Sequence, residues 1–139
     1  MQYITPFDMI KRDLNLVATE GTVRLNITYD EFLFAVRRIL AVAAVDEAWY
    51  LQTYPDVAEA IASGNHQSAK EHFITHGYFE GRFPYEIPVD EAYYLRTYPD
   101  VAEGIKRGDH RSAATHFRNN GYLEGRRPSD LDRVSLRLL

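Results

Sequence analysis

The chain contains no cysteine, which excludes disulfide bonds and any site that needs a thiolate as its nucleophile or metal ligand. Long apolar runs are also missing, since the longest, at 39–45, is far shorter than the roughly 20 residues of a membrane-spanning helix. The first residues do not show the basic and then apolar pattern of a secretory signal. We therefore expect a cytoplasmic protein that does not insert into membranes.

Positive charge is not concentrated anywhere in the chain, which has 16 basic and 20 acidic side chains and a net charge of −4. The acidic excess falls at 45–88, with seven acids and two bases, whereas 89–128 holds six acids and seven bases. The bases at 89–128 are interleaved with acids rather than forming a band. Nucleic acids are bound by banded positive charge, so we expect no nucleic-acid partner.

One stretch of the sequence occurs twice. Residues 45–84 and 89–128 are identical at 26 of 40 positions when the first is shifted by 44 residues, which indicates a tandem duplication. With 139 residues, 45% of them apolar, the chain has the length and composition of an ordinary globular protein. The predicted segments are an N-terminal helical cap at 1–44, a helical repeat at 45–88, a second helical repeat at 89–128 and an amphipathic C-terminal tail at 129–139.

The N-terminal region carries a helix-start signal at Thr5, which can act as the N-cap before Pro6. Apolar residues at helical spacing follow, and Gly21 marks the end of this predicted helix. A competing interpretation pairs 14–19 with 22–28 as a β-hairpin, because apolar and polar residues alternate in the second of these segments. The cap at Thr5 favours the helix, followed by a short extended segment at 22–27.

A second helix is predicted at 29–44 by a capping box, in which Thr28 and Glu31 can each bind the other's backbone. Apolar residues recur at helical spacing along it and predict one buried face. These residues are Phe32, Ala35, Val36, Ile39, Leu40 and Ala43. The helix directly precedes the first repeat, so we expect it to cap the array.

Each repeat is predicted to form three short helices, and no strand pattern occurs within it. In the first copy Asp46 can cap the first helix, Pro55 and Asp56 can open the second, and Ser68 can cap the third. Gly77 stands where a left-handed residue commonly ends a helix. The predicted fold class is therefore all-α, with two tandem three-helix repeats capped by the N-terminal helical region.

The inward faces of the repeat helices are expected to hold aromatic and histidine side chains. Tyr50 and Tyr54 share one face of the first helix, and His72 and Phe73 share one face of the third. Truncation of Tyr54, or of its counterpart Tyr98, is expected to cost about 3–5 kcal/mol because both rings are predicted to be buried.

The pattern Y-L-x-x-Y-P-D-V-A, followed by a glycine, H-[FY] and G-x-x-E-G-R-x-P, resembles a short helical repeat of bacteria. That repeat is often appended to glycosyltransferases and other surface-polysaccharide proteins, and it also occurs in large secreted proteins. The resemblance covers 45–84 and 89–128 and implies a unit that accompanies catalytic domains rather than being one. Its motif residues in this sequence are Tyr54, Pro55, Asp56, His72, Gly77, Glu80, Gly81, Arg82, Tyr98, Pro99, Asp100, His116, Gly121, Glu124, Gly125 and Arg126.

The polar motif residues have structural explanations. Asp56 and Glu80 could be mistaken for a catalytic carboxylate pair, but Arg82 can tie the closing turn of the repeat to the acid at the start of the second helix. His72 and His116 lie beside phenylalanine on an inward face, which is typical of hydrogen-bonded core histidines.

His72 and His76 are the metal candidates, because they have the i, i+4 spacing of a zinc-binding pair with Glu71 beside them. The second copy has Asn120 in place of the second histidine, and the sequence suggests no third ligand. We therefore expect no metal and no other cofactor.

Three functions are compatible with these residues. The first is a non-catalytic helical adaptor that binds a protein partner, linked by the resemblance to bacterial exopolysaccharide or cell-envelope assembly; a homo-oligomer stays open. The second is a glycan-binding module that uses the tyrosines and Trp49. The third is a small metal-dependent hydrolase. Two copies without catalytic asymmetry favour the first, so we expect no enzyme activity.

The differences between the two copies predict where a partner or the N-terminal region binds. Apolar residues of the first copy are replaced by cations in the second: Ile74 by Arg118, Ala62 by Lys106 and Phe83 by Arg127. Because unpaired charges are not buried, we expect 29–44 to pack against the first copy around Ile74. The corresponding face of the second copy is expected to be solvated or to hold a partner. The candidate interaction surface comprises Trp49, Tyr93, Lys106, Arg118 and Arg127.

Overall fold

A computed structural model describes residues 7–14, 21 and 25–130, and within these ranges the chain is all-α, as predicted. The described part holds eight α-helices and two π-helical turns, and no strand. None of these helices has both the length and the apolar composition needed to cross a membrane. The elements are α1 (Phe7–Asp13), α2 (Tyr29–Leu40), α3 (Glu47–Thr53), α4 (Pro55–Ala62), α5 (Ala69–His72), π1 (Phe73–Gly77), α6 (Glu91–Thr97), α7 (Pro99–Arg107), α8 (Ala113–His116) and π2 (Phe117–Gly121).

The chain divides into two compact units, Met1–Tyr85 and Glu86–Leu139. The first unit contains α1 to α5 and π1, so the N-terminal helices and the first sequence copy belong together. The second unit contains α6 to α8 and π2, which cover the second copy. The four-segment division of the sequence stays a prediction, and most of the predicted tail, at 131–139, lies outside the described residues.

The two N-terminal helices are shorter than predicted. Helix α1 ends at Asp13, while Thr5, Pro6 and residues 15–20 lie outside the described part of the chain. Of the extended segment predicted at 22–27, residues 22–24 lie outside the described part of the chain. Residues 25–28 form neither strand nor helix.

Helix α2 begins at the predicted capping box. Thr28 Oγ1 accepts from the Glu31 N–H at 3.1 Å, and the Glu31 carboxylate accepts from the Thr28 N–H at 2.7 Å. The prediction that this helix reaches residue 44 is wrong, because α2 ends at Leu40. The Ala43 N–H binds the Leu40 carbonyl in a tighter turn, and Ala43 and Val45 then pack against the core of the first unit.

Each sequence copy is built around one fully buried tyrosine, Tyr50 in α3 and Tyr94 in α6. Val57, Ala69 and Phe73 surround Tyr50. The prediction that Tyr54 and Tyr98 would be buried is wrong, since both rings are only half-buried. Tyr54 joins α3 to α4 in a non-helical conformation, and its hydroxyl instead binds the Phe83 N–H at 2.9 Å at the edge of the core.

The third helix of each copy is divided into an α-helical and a π-helical part. Helix α5 starts after the predicted Ser68 cap, but from Phe73 onward the backbone widens, and the Tyr78 N–H binds the Phe73 carbonyl five residues earlier at 2.8 Å. His72, Phe73 and Gly77 are all buried within this element. The same division occurs between α8 and π2, so the duplicated sequence specifies it in both places.

Gly77 is required for a reason other than the one the sequence suggested. The predicted left-handed conformation is wrong for Gly77 and Gly121, because both lie inside the π-helical turns with ordinary backbone angles. A Cβ atom at Gly77 would lie far inside van der Waals contact with the Tyr50 hydroxyl oxygen. The equivalent Cβ at Gly121 would collide with the Tyr94 hydroxyl in the same way. The lack of a side chain at this glycine therefore leaves room for the hydroxyl of the buried tyrosine.

Helix α2 packs against π1, which agrees with the predicted contact between the N-terminal region and the first copy. The Arg37 Nη2 donates to the Thr75 carbonyl at 3.4 Å, and its guanidinium lies 5.8 Å from the centre of the Phe79 ring. Ile74 is half-buried against the core of the first unit, whereas its counterpart Arg118 is exposed.

The other two replaced positions behave differently from each other. Phe83 is buried at 4% exposure while Arg127 is exposed, as the charge difference suggested. Ala62 and Lys106 are both exposed, so the prediction of burial at this position is wrong. The last turn of α4 and of α7 faces solvent in both copies, where a methyl group and an ammonium are equally tolerated.

Substitution Gly77→Ala is expected to destabilise the first unit by about 3 kcal/mol, because the added methyl must displace the Tyr50 hydroxyl from a packed core. The double variant Tyr50→Phe with Gly77→Ala removes the oxygen that the methyl would meet. It should therefore be more stable than the sum of the two single effects predicts. Urea unfolding of the four proteins gives the coupling free energy, and simple additivity would contradict the proposed clash.

Substitution Ile74→Arg is expected to lower the free energy of unfolding by about 1–3 kcal/mol, because it brings an unpaired cation to a half-buried position against the core of the first unit. The matched substitution Arg118→Ile changes an exposed position and should alter stability by less than about 0.5 kcal/mol. Chemical denaturation compares the two, and equal effects would show that the two sites have the same surroundings.

Candidate functional site

The carboxylates of the repeat motif are held by its arginine. Arg82 donates to both Asp56 carboxylate oxygens at 3.0 and 2.8 Å and to Glu80 at 2.7 Å, and its guanidinium lies 5.0 Å from the centre of the Tyr54 ring. Gly81 adopts a left-handed φ of 75° between the two ends of this turn. The Arg82 hydrogen bonds hold the pKa of Asp56 below its usual range, so this carboxylate stays ionised and paired. The second copy repeats the set with Arg126, Asp100, Glu124, Tyr98 and Gly125.

The core histidine of each copy pairs with the buried tyrosine. His72 is 6% exposed, and its Nδ1 lies 3.0 Å from the Tyr50 hydroxyl oxygen. His116 and Tyr94 form the same pair at 2.9 Å. Burial, with a smaller contribution from the nearby Arg82, lowers the pKa of His72 and favours the neutral ring. The pair thus satisfies two polar groups that the core would otherwise leave unpaired.

Three histidines lie together in the first unit. The ring centres of His66 and His72 are 4.7 Å apart, those of His66 and His76 are 5.0 Å apart, and those of His72 and His76 are 5.7 Å apart. His66 Nδ1 lies 2.8 Å from the Glu71 carboxylate, and His76 Nδ1 lies 2.8 Å from the Thr75 hydroxyl. In the described part of the chain, no group of three or more histidine or acidic side chains is arranged to hold a metal ion.

A cleft of about 310 Å³ opens beside α6 in the second unit. Its lining residues are Tyr93, Thr97, Tyr98, Arg127 and Asp130. The Arg127 N–H donates to the Tyr98 hydroxyl at 2.8 Å, which fixes the backbone of one wall against the other. The cleft thus places two aromatic rings, a cation, a carboxylate and a hydroxyl around one small space.

The corresponding positions of the first unit are occupied by larger aromatic side chains. Trp49 stands where the second copy has Tyr93, and it meets the Tyr54 ring edge-on at 6.2 Å while packing against the core. Phe83 stands where the second copy has Arg127, and it is buried. Trp49 is partly buried, as Tyr93 is, and its use as a sugar-stacking platform stays a prediction.

The predicted interaction surface is only partly brought together. Tyr93 and Arg127 line the same cleft, while Lys106 pairs with Glu103 at 2.9 Å on the exposed side of α7. Arg118 is exposed on π2. Sequence reasoning missed Thr97 and Asp130, and a comparison of the residues that flank Tyr93 and Arg127 would have been the only signal for them.

Exposed apolar side chains are concentrated in the first unit, which holds eight of the nine large ones among the described residues. On α2, Tyr29 is 72% exposed, Phe32 48% and Ile39 52%, with the half-buried Val36 between them. The prediction that Phe32 and Ile39 face the core is wrong. The apolar side chains of α2 extend around more of the helix than its neighbours cover, and Ala35 is the residue of α2 that is buried.

Comparison of the chain with protein-family models, curated proteins and solved structures finds no match. The resemblance of 45–84 and 89–128 to a bacterial helical repeat therefore stays a prediction.

The histidine cluster predicts a pH dependence of stability. Since burial lowers the pKa of His72 in the folded state, the unfolded chain binds more protons, and stability should fall as the pH drops below about 6.5. Arg82, His66 and His76 oppose protonation and Glu80 favours it. The slope is limited to about 1.4 kcal/mol per pH unit for each such histidine.

Urea unfolding at about pH 7.5 and about pH 5.5 checks this dependence. Burial also lowers the pKa of His116, so both histidines contribute to the expected loss of stability. Asp56 and Asp100 have lowered pKa values and contribute only in more acidic solution, below about pH 4. A urea midpoint that does not change between the two conditions would show that the histidines titrate equally in both states.

Proposed function

We propose that this chain is a non-catalytic helical interaction module that binds a protein partner through the exposed apolar stripe of α2. The stripe consists of Tyr29, Phe32, Val36 and Ile39, and its exposure is the observation that carries the proposal. Large exposed apolar patches on soluble proteins commonly mark interaction sites. Aromatic residues are enriched in such interfaces because they contribute much contact area.

The spacing of the stripe favours a helical partner. Its residues follow at i, i+3, i+7 and i+10, so they form one line along α2 of about 15 Å, given a rise of about 1.5 Å per residue. Such a line of apolar side chains fits the apolar face of another helix, whose ridges can lie in its grooves. The opposite side of α2 is already used, because Arg38 pairs with Asp13 at 2.6 Å and Arg37 contacts π1.

The shared polar residues of the two copies support a non-catalytic role. Arg82 occupies the carboxylates of Asp56 and Glu80, and Tyr50 occupies one nitrogen of His72. These side chains therefore have structural partners in both copies. The histidine cluster occurs in the first copy alone, and within the described residues it is not arranged to hold a metal ion.

The resemblance of the repeats supports a biological setting for the module. As part of the same proposal, the partner is a bacterial protein of exopolysaccharide or cell-envelope assembly, and binding occurs in the cytoplasm. Attachment to a catalytic partner would agree with the way that such repeats accompany catalytic domains.

The double substitution Phe32→Ser with Ile39→Ser is expected to leave the melting temperature unchanged, because both side chains are exposed, and to abolish capture of the partner. Isotope-labelled affinity capture from the native host compares wild type and variant quantitatively. Substitution Leu123→Ser, at an exposed apolar residue of the second unit, is the matched control and should capture the partner as well as wild type does. An identical set of captured proteins from all three baits would contradict the proposal.

A further inference from the structure

We propose that the cleft beside α6 in the second unit binds a pyranose sugar that carries a carboxylate. The site comprises Tyr93, Thr97, Tyr98, Arg127 and Asp130. It is separate from the α2 stripe and does not depend on the function proposed for that stripe.

The duplication provides an internal reference for this cleft. Both copies fix the same backbone contact, since the Tyr54 hydroxyl binds the Phe83 N–H at 2.9 Å and the Tyr98 hydroxyl binds the Arg127 N–H at 2.8 Å. The side chain on that backbone is a buried phenylalanine in the first copy and an exposed arginine in the second. The two copies therefore place different side chains on the same backbone, and the arginine of the second copy lines the cleft.

The two charged side chains of the cleft have no partners among the described residues. Arg126 uses its guanidinium for Asp100 and Glu124, whereas the guanidinium of the adjacent Arg127 forms no hydrogen bond or ion pair there. The carboxylate of Asp130 is likewise unpaired within the described residues. Within the described residues, a cation and a carboxylate thus line one cleft without neutralising each other, and a ligand that carries both an acidic group and hydroxyls would match them.

The chemistry of the lining selects the ligand class. A guanidinium binds a carboxylate through two parallel N–H donors, so Arg127 fits an acidic group. The Asp130 carboxylate accepts only, and it fits hydroxyl donors. The ring of Tyr93 offers an apolar face with a hydroxyl at its edge, whereas the Tyr98 ring already has the Arg126 guanidinium 4.9 Å from its centre. A sugar acid presents all three features together: a carboxylate, several hydroxyls and an apolar C–H face.

The volume of the cleft and the need to pair its polar groups argue against ligands smaller or less polar than a sugar acid. A cleft of about 310 Å³ lies at the lower end of ligand sites, which are typically about 300–1,000 Å³, and it suits one sugar unit. A small carboxylate alone would leave Asp130 and the Tyr93 ring without a match, and a purely apolar ligand would desolvate Arg127 without pairing it.

Titration of the full chain with D-glucuronate, followed by amide chemical shifts in two-dimensional NMR, tests the proposal. Shifts are expected at Tyr93, Thr97 and Asp130, with a dissociation constant near about 1 mM, as suits a small ligand in an open site. Parallel titrations use D-glucose, which lacks the carboxylate, and acetate, which lacks the ring. Each should bind at least about tenfold more weakly than D-glucuronate. Equal affinity for acetate would contradict the requirement for a sugar ring, and equal affinity for D-glucose would contradict the requirement for a carboxylate.

Two substitutions at Arg127 locate the binding. Arg127→Gln should weaken D-glucuronate about tenfold or more while leaving the weak D-glucose binding within about threefold. Arg127→Phe introduces the residue of the first copy and should abolish binding of both. Arg118→Gln removes an exposed cation outside the cleft and should leave every affinity unchanged. Unchanged D-glucuronate binding in Arg127→Gln, or the absence of shifts at the cleft in wild type, would disprove the proposal.

Discussion

The buried tyrosine hydroxyl is the constraint on which each sequence copy depends. Tyr50 and Tyr94 are fully buried, so each hydroxyl must find a hydrogen-bond partner inside the core. The partner is the Nδ1 atom of a histidine one helix away, and the hydroxyl reaches it over a glycine that leaves no room for a Cβ. The buried tyrosine therefore needs a histidine as its partner and a glycine that leaves it room. Both copies keep these residues and the widened helical turn that contains the glycine.

Each copy is also closed on itself by hydrogen bonds between its beginning and its end. The Asp46 N–H binds the Pro84 carbonyl at 2.9 Å, and the Arg82 side chain reaches back to Asp56 at the start of α4. The second copy repeats both contacts. These contacts satisfy polar groups that both copies share, and some of the positions that differ between the copies lie at the edge of the core. At the positions of Ile74 and Phe83 the second copy has arginines, and the order of the helices is the same in both copies.

The two proposed surfaces follow from this division of roles. In the first unit the edge positions Ile74 and Phe83 are at least half-buried, and α2 lies against π1 with its own apolar stripe facing outward. In the second unit the same edge carries Arg118 and Arg127, which are both exposed. A duplicated scaffold can in this way present an apolar protein-binding surface on one unit and a polar cleft on the other.

The sequence by itself determined the all-α class, the helix starts at Thr28, Asp46, Pro55 and Ser68, and the tie between Arg82 and Asp56, because caps, prolines and charge pairs act over short or repeated distances. Only the tertiary structure decided which tyrosine is fully buried and why Gly77 must lack a side chain, since both depend on a contact between α3 and π1. It also decided that Phe32 and Ile39 face outward, because helical periodicity defines an apolar arc but not how much of it another element covers. The cleft, with Thr97 and Asp130 brought beside Arg127, likewise depends on distant segments meeting, which spacing along the chain does not encode.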